Sequence, residues 1–392
     1  MQAAVDPGDP MRRIVAVTVS VVVSVVAAIT VAAPAMAAAP AVPAALKGAA
    51  PGTLVTKTPI AAPSGAKAWK VSYHSRAVDG HDVTVTGLVV APAGAAPKGG
   101  RPVVTWAHGT TGIADQCAPS RAAAAASALP YVDEMLAAGY VVAATDYEGL
   151  GSSGVHPFLV GQSEGRGVLD AARVAAAIPA AHASDRVLVF GHSQGGQAAL
   201  FAGELAPSYA PELHVLGVAA AAPAADVEHI LPLAGSVRGS AGYVALAALG
   251  FDAAYPDANV LQILTPEARQ RAQIGLTECS GAVLQAFSGD HAALFAADPL
   301  ADPKLAAILH ENSAGNQRTT APILVVQGTA DATILKPLTD GFVTKACAAG
   351  DRIDYRTYDG ADHGTVIVAA KSDVLAWLAA RVAGDLAPDT CS

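Results

Sequence analysis

The sequence predicts an α/β fold in which a mostly parallel central sheet is flanked by helices and carries a large, mainly helical insertion. Three observations lead there. Short apolar runs at 102–107, 140–145, 186–190 and 214–221 alternate with helical stretches. That is the rhythm of a buried parallel sheet, whose strands are apolar on both faces. Run 186–190 leads directly into Gly191-His192-Ser193-Gln194-Gly195 and then a helix-like Gln197-Ala198-Ala199-Leu200-Phe201. Finally, the alternation stops over 226–320, which holds helical patches and no clear strand, and resumes at 323–326.

The chain begins with processing sequence rather than fold. Of its 392 residues 52% are hydrophobic and only 15% charged, against roughly 25% charged in ordinary soluble proteins. Part of that excess lies in residues 1–37, expected to be a signal peptide. Arg12 and Arg13 precede the apolar stretch 14–33, and Pro34-Ala35-Met36-Ala37 supplies a small-residue cleavage pattern. Cleavage is expected after Ala37, with Met11 as an alternative start. An uncleaved membrane anchor is the rival, since the stretch is long enough to span a bilayer. Pro34 and the cleavage pattern weigh against it, so the protein is expected to be secreted. Residues 38–63, rich in Ala and Pro, are expected to be a linker.

The core is expected in two parts, 64–225 and 321–392. Segments 69–77 and 82–91 alternate apolar and polar residues around Asp79-Gly80, as an antiparallel hairpin does. Helices are expected at 122–138, 163–178 and 371–382, and a further strand at 352–358. The insertion 226–320 is expected to cap the sheet. Its alternative is a structural subdomain away from any site.

The glycines at 191 and 195 fit a nucleophile turn. A hydroxyl projecting from a strained turn at a strand end leaves no room for side chains two positions away on either side. A serine is a weak nucleophile until a base takes its proton and an acid orients that base. The chain order Ser193, Asp331, His363 supplies all three. Asp331 follows the run ending at Val326, and His363 follows the expected strand 352–358. Asp359 is the more serious rival for the acid, and Asp362 is badly placed to reach its sequence neighbour. His192 is read as a packing residue. An oxyanion needs two preorganised N–H donors, assigned to Gln194 and to Thr110 in His108-Gly109-Thr110-Thr111-Gly112. Asp146 reads as a buried structural carboxylate and Tyr147 as core.

Lys and Arg number 24 against 33 Asp and Glu, a net charge of −9. No basic face is visible to match phosphate, which argues against nucleic acid. There is no phosphate loop, calcium-type acidic cluster or zinc spacing, so no cofactor or metal is expected, and no obligate protein partner is inferred. Cys117, Cys279, Cys347 and Cys391 allow three disulfide connectivities. Cys347–Cys391, which ties the last residues to the core, and Cys117–Cys279 are favoured.

Taken together, the HGTTG, Asp146-Tyr147-Glu148-Gly149 and GHSQGG segments, with Asp331 and His363, resemble the secretory lipase family (lipase A type) of the α/β-hydrolases. The likeness runs from about Val71 to Ser392. It implies a helical lid at 226–320, one disulfide joining core to lid and another near the C-terminus. It also implies cofactor-free hydrolysis of acyl esters, triacylglycerols among them. The expected substrate is a small-molecule or lipid ester. Apolar pieces 243–246 and 294–295 of the cap are expected to wall the acyl site, with the cap touching a lipid interface. An acyltransferase or a secreted peptidase would use the same three residues. Asp252 and Asp257 give the peptidase only weak support.

Overall fold

A computed structural model describes residues 48–235, 239–289 and 294–391. The expected signal peptide and residues 38–47 of the expected linker lie outside them. Nine strands form one sheet in the order β1-β2-β3-β5-β4-β6-β7-β8-β9. Strands β1 (Leu54–Ile60), β2 (Ala66–Arg76) and β3 (Asp82–Pro92) are antiparallel, and β3 pairs antiparallel with β5. From β4 (Arg101–Ala107) and β5 (Val141–Thr145) onward the pairing is parallel, through β6 (Ala183–His192), β7 (His214–Ala221), β8 (Ile323–Gly328) and β9 (Ile353–Tyr358).

Every residue of β4, β5 and β8 is buried, because helices cover both faces. On one face α2 (Gly161–Ala176) and α3 (Gln194–Tyr209) pack Leu169 and Leu200 into a core with Val103 and Val189. On the other, α1 (Val132–Ala137) and α11 (Lys371–Ala383) bring Met135 and Trp377 against Val104 and Phe190. Between β7 and β8 lie α4 (Val227–Ala234), α5 (Ala241–Ala254), α6 (Pro266–Ala272), α7 (Ser280–Ala286) and α8 (Pro303–Glu311). They enclose a third core, in which Leu246 and Phe251 of α5 are fully covered. Helices α9 (Lys336–Ala348) and α10 (Val366–Ala369) complete the set. Among the described residues no helix is long and apolar enough to cross a membrane.

Two expectations are corrected. The range 38–63 is not all linker, because Leu54–Ile60 forms edge strand β1, with Thr58 opposite Lys70. Its residues are largely exposed, so the hydrogen-bond ladder holds it without the apolar alternation that reveals a buried strand. The expected helix 122–138 is instead a short tight turn, Ala125–Ala128, followed by the short α1, with a similar turn at Pro119–Arg121 just before it. Pro130 breaks the run, and Leu129 before it is extended, with ψ 132°.

Two disulfides join Cys117 to Cys279 and Cys347 to Cys391, with Cα separations of 5.5 and 5.3 Å. The first ties the segment after β4 to the start of α7, where the Ser280 N–H also donates to the Thr111 carbonyl at 2.9 Å. The second secures the C-terminal residues along β9. There the Thr390 N–H donates to the Ile353 carbonyl at 2.7 Å, and the Tyr355 N–H to Thr390 Oγ1 at 3.0 Å.

Candidate active site

The strand order reverses between β4 and β6, and ligands of open α/β sheets bind outside the carboxyl ends of strands at such a point. Here β4 runs into His108-Gly109-Thr110 and β6 into Ser193. Ser193 has φ 60° and ψ −120°, a left-handed conformation that its surroundings must impose. They do so by hydrogen bonds. Its N–H donates to the Ala221 carbonyl at 2.9 Å, and its own carbonyl accepts from Gly196 and Ala224 at 2.9 and 3.1 Å. The two glycines are sterically required. A β-carbon on Gly191 would lie 1.9 Å from the Gly195 carbonyl oxygen, and one on Gly195 1.9 Å from that of Ala107. Helix α3 starts at once behind the serine, aiming the positive end of its dipole at the hydroxyl.

His363 lies in the loop after β9. Its Nε2 meets Ser193 Oγ at 2.8 Å, and its Nδ1 meets Asp331 Oδ2 at 2.8 Å. With Nδ1–H donating to the carboxylate, Nε2 is the acceptor for the serine proton. The Asp331 side chain is fully buried and well supported. Thr333 and Ile334 N–H groups donate to Oδ1, both at 2.8 Å, and Gln327 Nε2 donates to Oδ2 at 3.0 Å. Burial pushes its pKa upward. The hydrogen bond and charge of His363, with the two amides, outweigh that and hold it below the usual carboxylate value. Gln327, itself oriented by a 2.8 Å bond from Thr339 Oγ1, was not singled out from sequence. Its one signal there is a polar residue at the end of an apolar strand.

The rival acids are engaged elsewhere. Asp359 accepts from Thr329 Oγ1 at 3.1 Å, and Asp362 caps its own loop by accepting from Gly364 and Thr365. His192 Nε2–H donates to the His363 carbonyl at 2.8 Å.

Thr110 lines a cleft of about 470 Å³ together with His108, Gly109, Thr111, Ser193 and His363. Gln194, the first residue of α3, is anchored from behind by its side chain. Its Nε2 donates to Glu164 Oε1 at 2.8 Å and to His156 Nε2 at 2.7 Å, and all three side chains are buried. His156 Nδ1–H donates in turn to the Glu148 carbonyl at 2.8 Å. Burial drives the Glu164 pKa up to about 8 and the His156 pKa down to about 3, so both are neutral at pH 7. Tyr147 is likewise buried, at φ 71°. Its hydroxyl donates to the His108 carbonyl at 2.9 Å, and its ring stacks on His156 with centroids 5.5 Å apart. Asp146 accepts from the Ser120 N–H at 2.9 Å and from Thr86 Oγ1 at 2.6 Å.

Of the pieces 243–246 and 294–295 expected to wall the acyl site, Tyr243 lines the cleft, whereas Leu246 and Leu294 are buried in an apolar cluster shared by the insertion and its neighbours. Helix α5, apolar but for Asp252, is buried in a cluster that also takes in Ile113, Phe158 and Val160 from outside the insertion. At the start of α4, Asp226, Glu228 and His229 lie close together. They are spent on helix capping and on the Asp226–His229 and Glu228–His310 pairs.

A mostly parallel sheet, with a strained serine at a strand–helix turn and a His–Asp pair on the loops of later strands, defines an α/β-hydrolase. The model of the secretory lipase family matches residues 120–390, and the chain belongs to that family. Lipase A of Arthroderma benhamiae is 28% identical over 275 residues, covering 66% of this chain and 56% of that protein. The match thus spans little more than half of that relative. A protein of Mycobacterium tuberculosis named probable inactive lipase is 26% identical over 341 residues, covering 82% and 75%. Among solved structures, lipase A of Candida antarctica superposes with a TM-score of 0.75 at 19% identity, covering 87% of this chain and 84% of that one. The rice cell wall degrading esterase LipA of Xanthomonas oryzae gives 0.71 at 18%, covering 85% and 98%. At such identities the structural likeness speaks for the fold.

Proposed function

We propose that this protein is a secreted serine carboxylic-ester hydrolase acting on acyl esters, triacylglycerols or related lipid esters among them. A relative named inactive means that family membership alone does not carry activity. The observation that does is the continuous hydrogen-bond line Ser193–His363–Asp331, 2.8 Å at each step. His363 takes the Ser193 proton as Oγ attacks the ester carbonyl, and Asp331 orients and stabilises the imidazolium that forms. The N–H groups of Gln194 and Thr110 receive the oxyanion. His363 then protonates the leaving alcohol, and water, activated by the same histidine, releases the acid and restores Ser193. No step calls for a cofactor.

Secretion, with 1–37 removed as a signal peptide, is supported by the family's description and by two disulfides, which persist in oxidising compartments. In this reading 64–225 and 321–392 are the catalytic core and 226–320 the cap. The test is hydrolysis of p-nitrophenyl esters from acetate to palmitate by protein starting at Ala38, beside Ser193→Ala. We expect the variant to lose roughly 10⁴-fold or more in kcat. A folded wild type without activity on any ester would overturn the reading.

A further inference from the structure

The cleft that holds Ser193 is lined by two kinds of group. His108, Thr110, Ser193 and His363 are polar and surround the proposed chemistry. Pro119, Ala122, Ala125 and Ala128, with Leu129 and Pro130, give the same cleft an apolar lining. The first four are spaced three residues apart. Turns hold the segment: the N–H groups of Ala122 and Ala125 donate to the carbonyls of Pro119 and Ala122 at 3.1 and 3.2 Å, and the Ala128 N–H donates to the Ala124 carbonyl at 3.1 Å. All four small residues line the cleft. The shelf is fixed at both ends. Near its start Cys117 is disulfide-bonded and the Ser120 N–H is held by Asp146; beyond its end the Tyr131 hydroxyl donates to the Ile367 carbonyl.

We propose that this three-spaced row of small residues is the subsite for the hydrocarbon leg of the ester, and that its alanines set the accepted chain length. The inference rests on the hydrolase reading above and moves the chain-binding wall from the insertion to the segment between β4 and β5. Residues 122–132 carry no charge, and their hydroxyls are those of Ser127 and Tyr131 alone. A sugar or peptide leg would leave its polar groups unpaired against such a wall, and a linear alkyl chain has none to satisfy. Methyl groups, the smallest apolar side groups, leave the cleft its depth. A larger side chain on the row would fill it.

The same shelf chemistry suits an acyl chain or the alkyl chain of the alcohol, and the experiment separates them. Ala122 and Ala128 are exposed, so Ala122→Leu and Ala128→Leu spare the packed core; Ala124→Leu, also exposed but off the row, is the control. Each is assayed on p-nitrophenyl esters of C2 to C16 acids and on acetates of C2 to C16 alcohols. On-row variants should lower the ratio of kcat/KM for C10 over C2 about tenfold or more in one series, identifying the leg. The control should leave both ratios unchanged. Unchanged ratios in on-row variants would overturn the proposal while leaving hydrolysis intact. Binding of the non-hydrolysable decyl p-nitrophenyl ether, measured by equilibrium dialysis, reads the shelf independently of turnover. It should weaken about tenfold in Ala128→Leu, and equal binding would overturn the shelf even if no ester were hydrolysed.

Discussion

His192 and His363 stand ring against ring with centroids 4.8 Å apart, and His192 Nε2–H donates to the backbone carbonyl of His363. The residue before the nucleophile thus holds the main chain of the base. Burial, reinforced by the neighbouring His363, lowers the His192 pKa to about 4, so it stays a neutral donor through the working range. Replacing it frees the loop on which His363 must reach Ser193 and Asp331 together. His192→Ala should lower kcat roughly 10- to 100-fold with KM little changed, the expected cost of small misplacements near the chemistry. His192→Gln, which retains a donor, should recover part of that. Steady-state kinetics beside thermal melts would check it, and a matching fall in Tm without the kcat effect would contradict it.

Tyr147 links the two segments that supply the proposed oxyanion donors. Its hydroxyl holds the His108 carbonyl, two residues before Thr110, and its ring backs His156, which contacts Gln194. Tyr147→Phe keeps the stack and deletes the bond. It leaves a buried carbonyl unpaired, at a cost of about 1–3 kcal/mol in stability. Because the bond positions one side of the oxyanion site, kcat should fall about tenfold while KM holds. Urea unfolding and kinetics on one short-chain ester would read the two effects separately.

Glu204 on α3 gives a pH dependence unconnected with catalysis. It is buried and accepts the Gly315 N–H at 2.6 Å. Burial, with Asp351 adding repulsion, raises its pKa from 4.5 to about 8. Between those values the folded state binds more protons than the unfolded one, so stability falls as pH rises. The contribution is fully present below pH 4.5 and is lost as pH climbs through about 8. Glu204→Gln removes the titration and keeps an acceptor. It should flatten this part of the stability profile and gain on the order of 1 kcal/mol or more over wild type at pH 9. Urea midpoints at pH 5 and pH 9 would show it, and equal differences at both would contradict it.

The contact of Ser193, Asp331 and His363 is legible in the sequence because each residue follows an apolar strand, in the chain order such a site requires. Strand β1 is not legible. An edge strand draws on ladder bonds, and Thr56, Lys57 and Thr58 show no buried face. The alanines of 122–128 read as helix by propensity, whereas Pro119, Pro130 and the Ser120–Asp146 bond hold them in tighter turns. His156 and Glu164 carry no local signature either. They meet Gln194 across 38 and 30 residues, a distance no short motif spans.

Beside the start of β9, Thr390 bonds Ile353 and Tyr355, and Cys391 is joined to Cys347 on α9. A bare terminal strand is a template for another chain. Cys391→Ser should therefore loosen Thr390 from this edge while leaving Cys117–Cys279 in place. Light scattering of the folded variant is expected to exceed that of the wild type at unchanged activity, and equal scattering would contradict it.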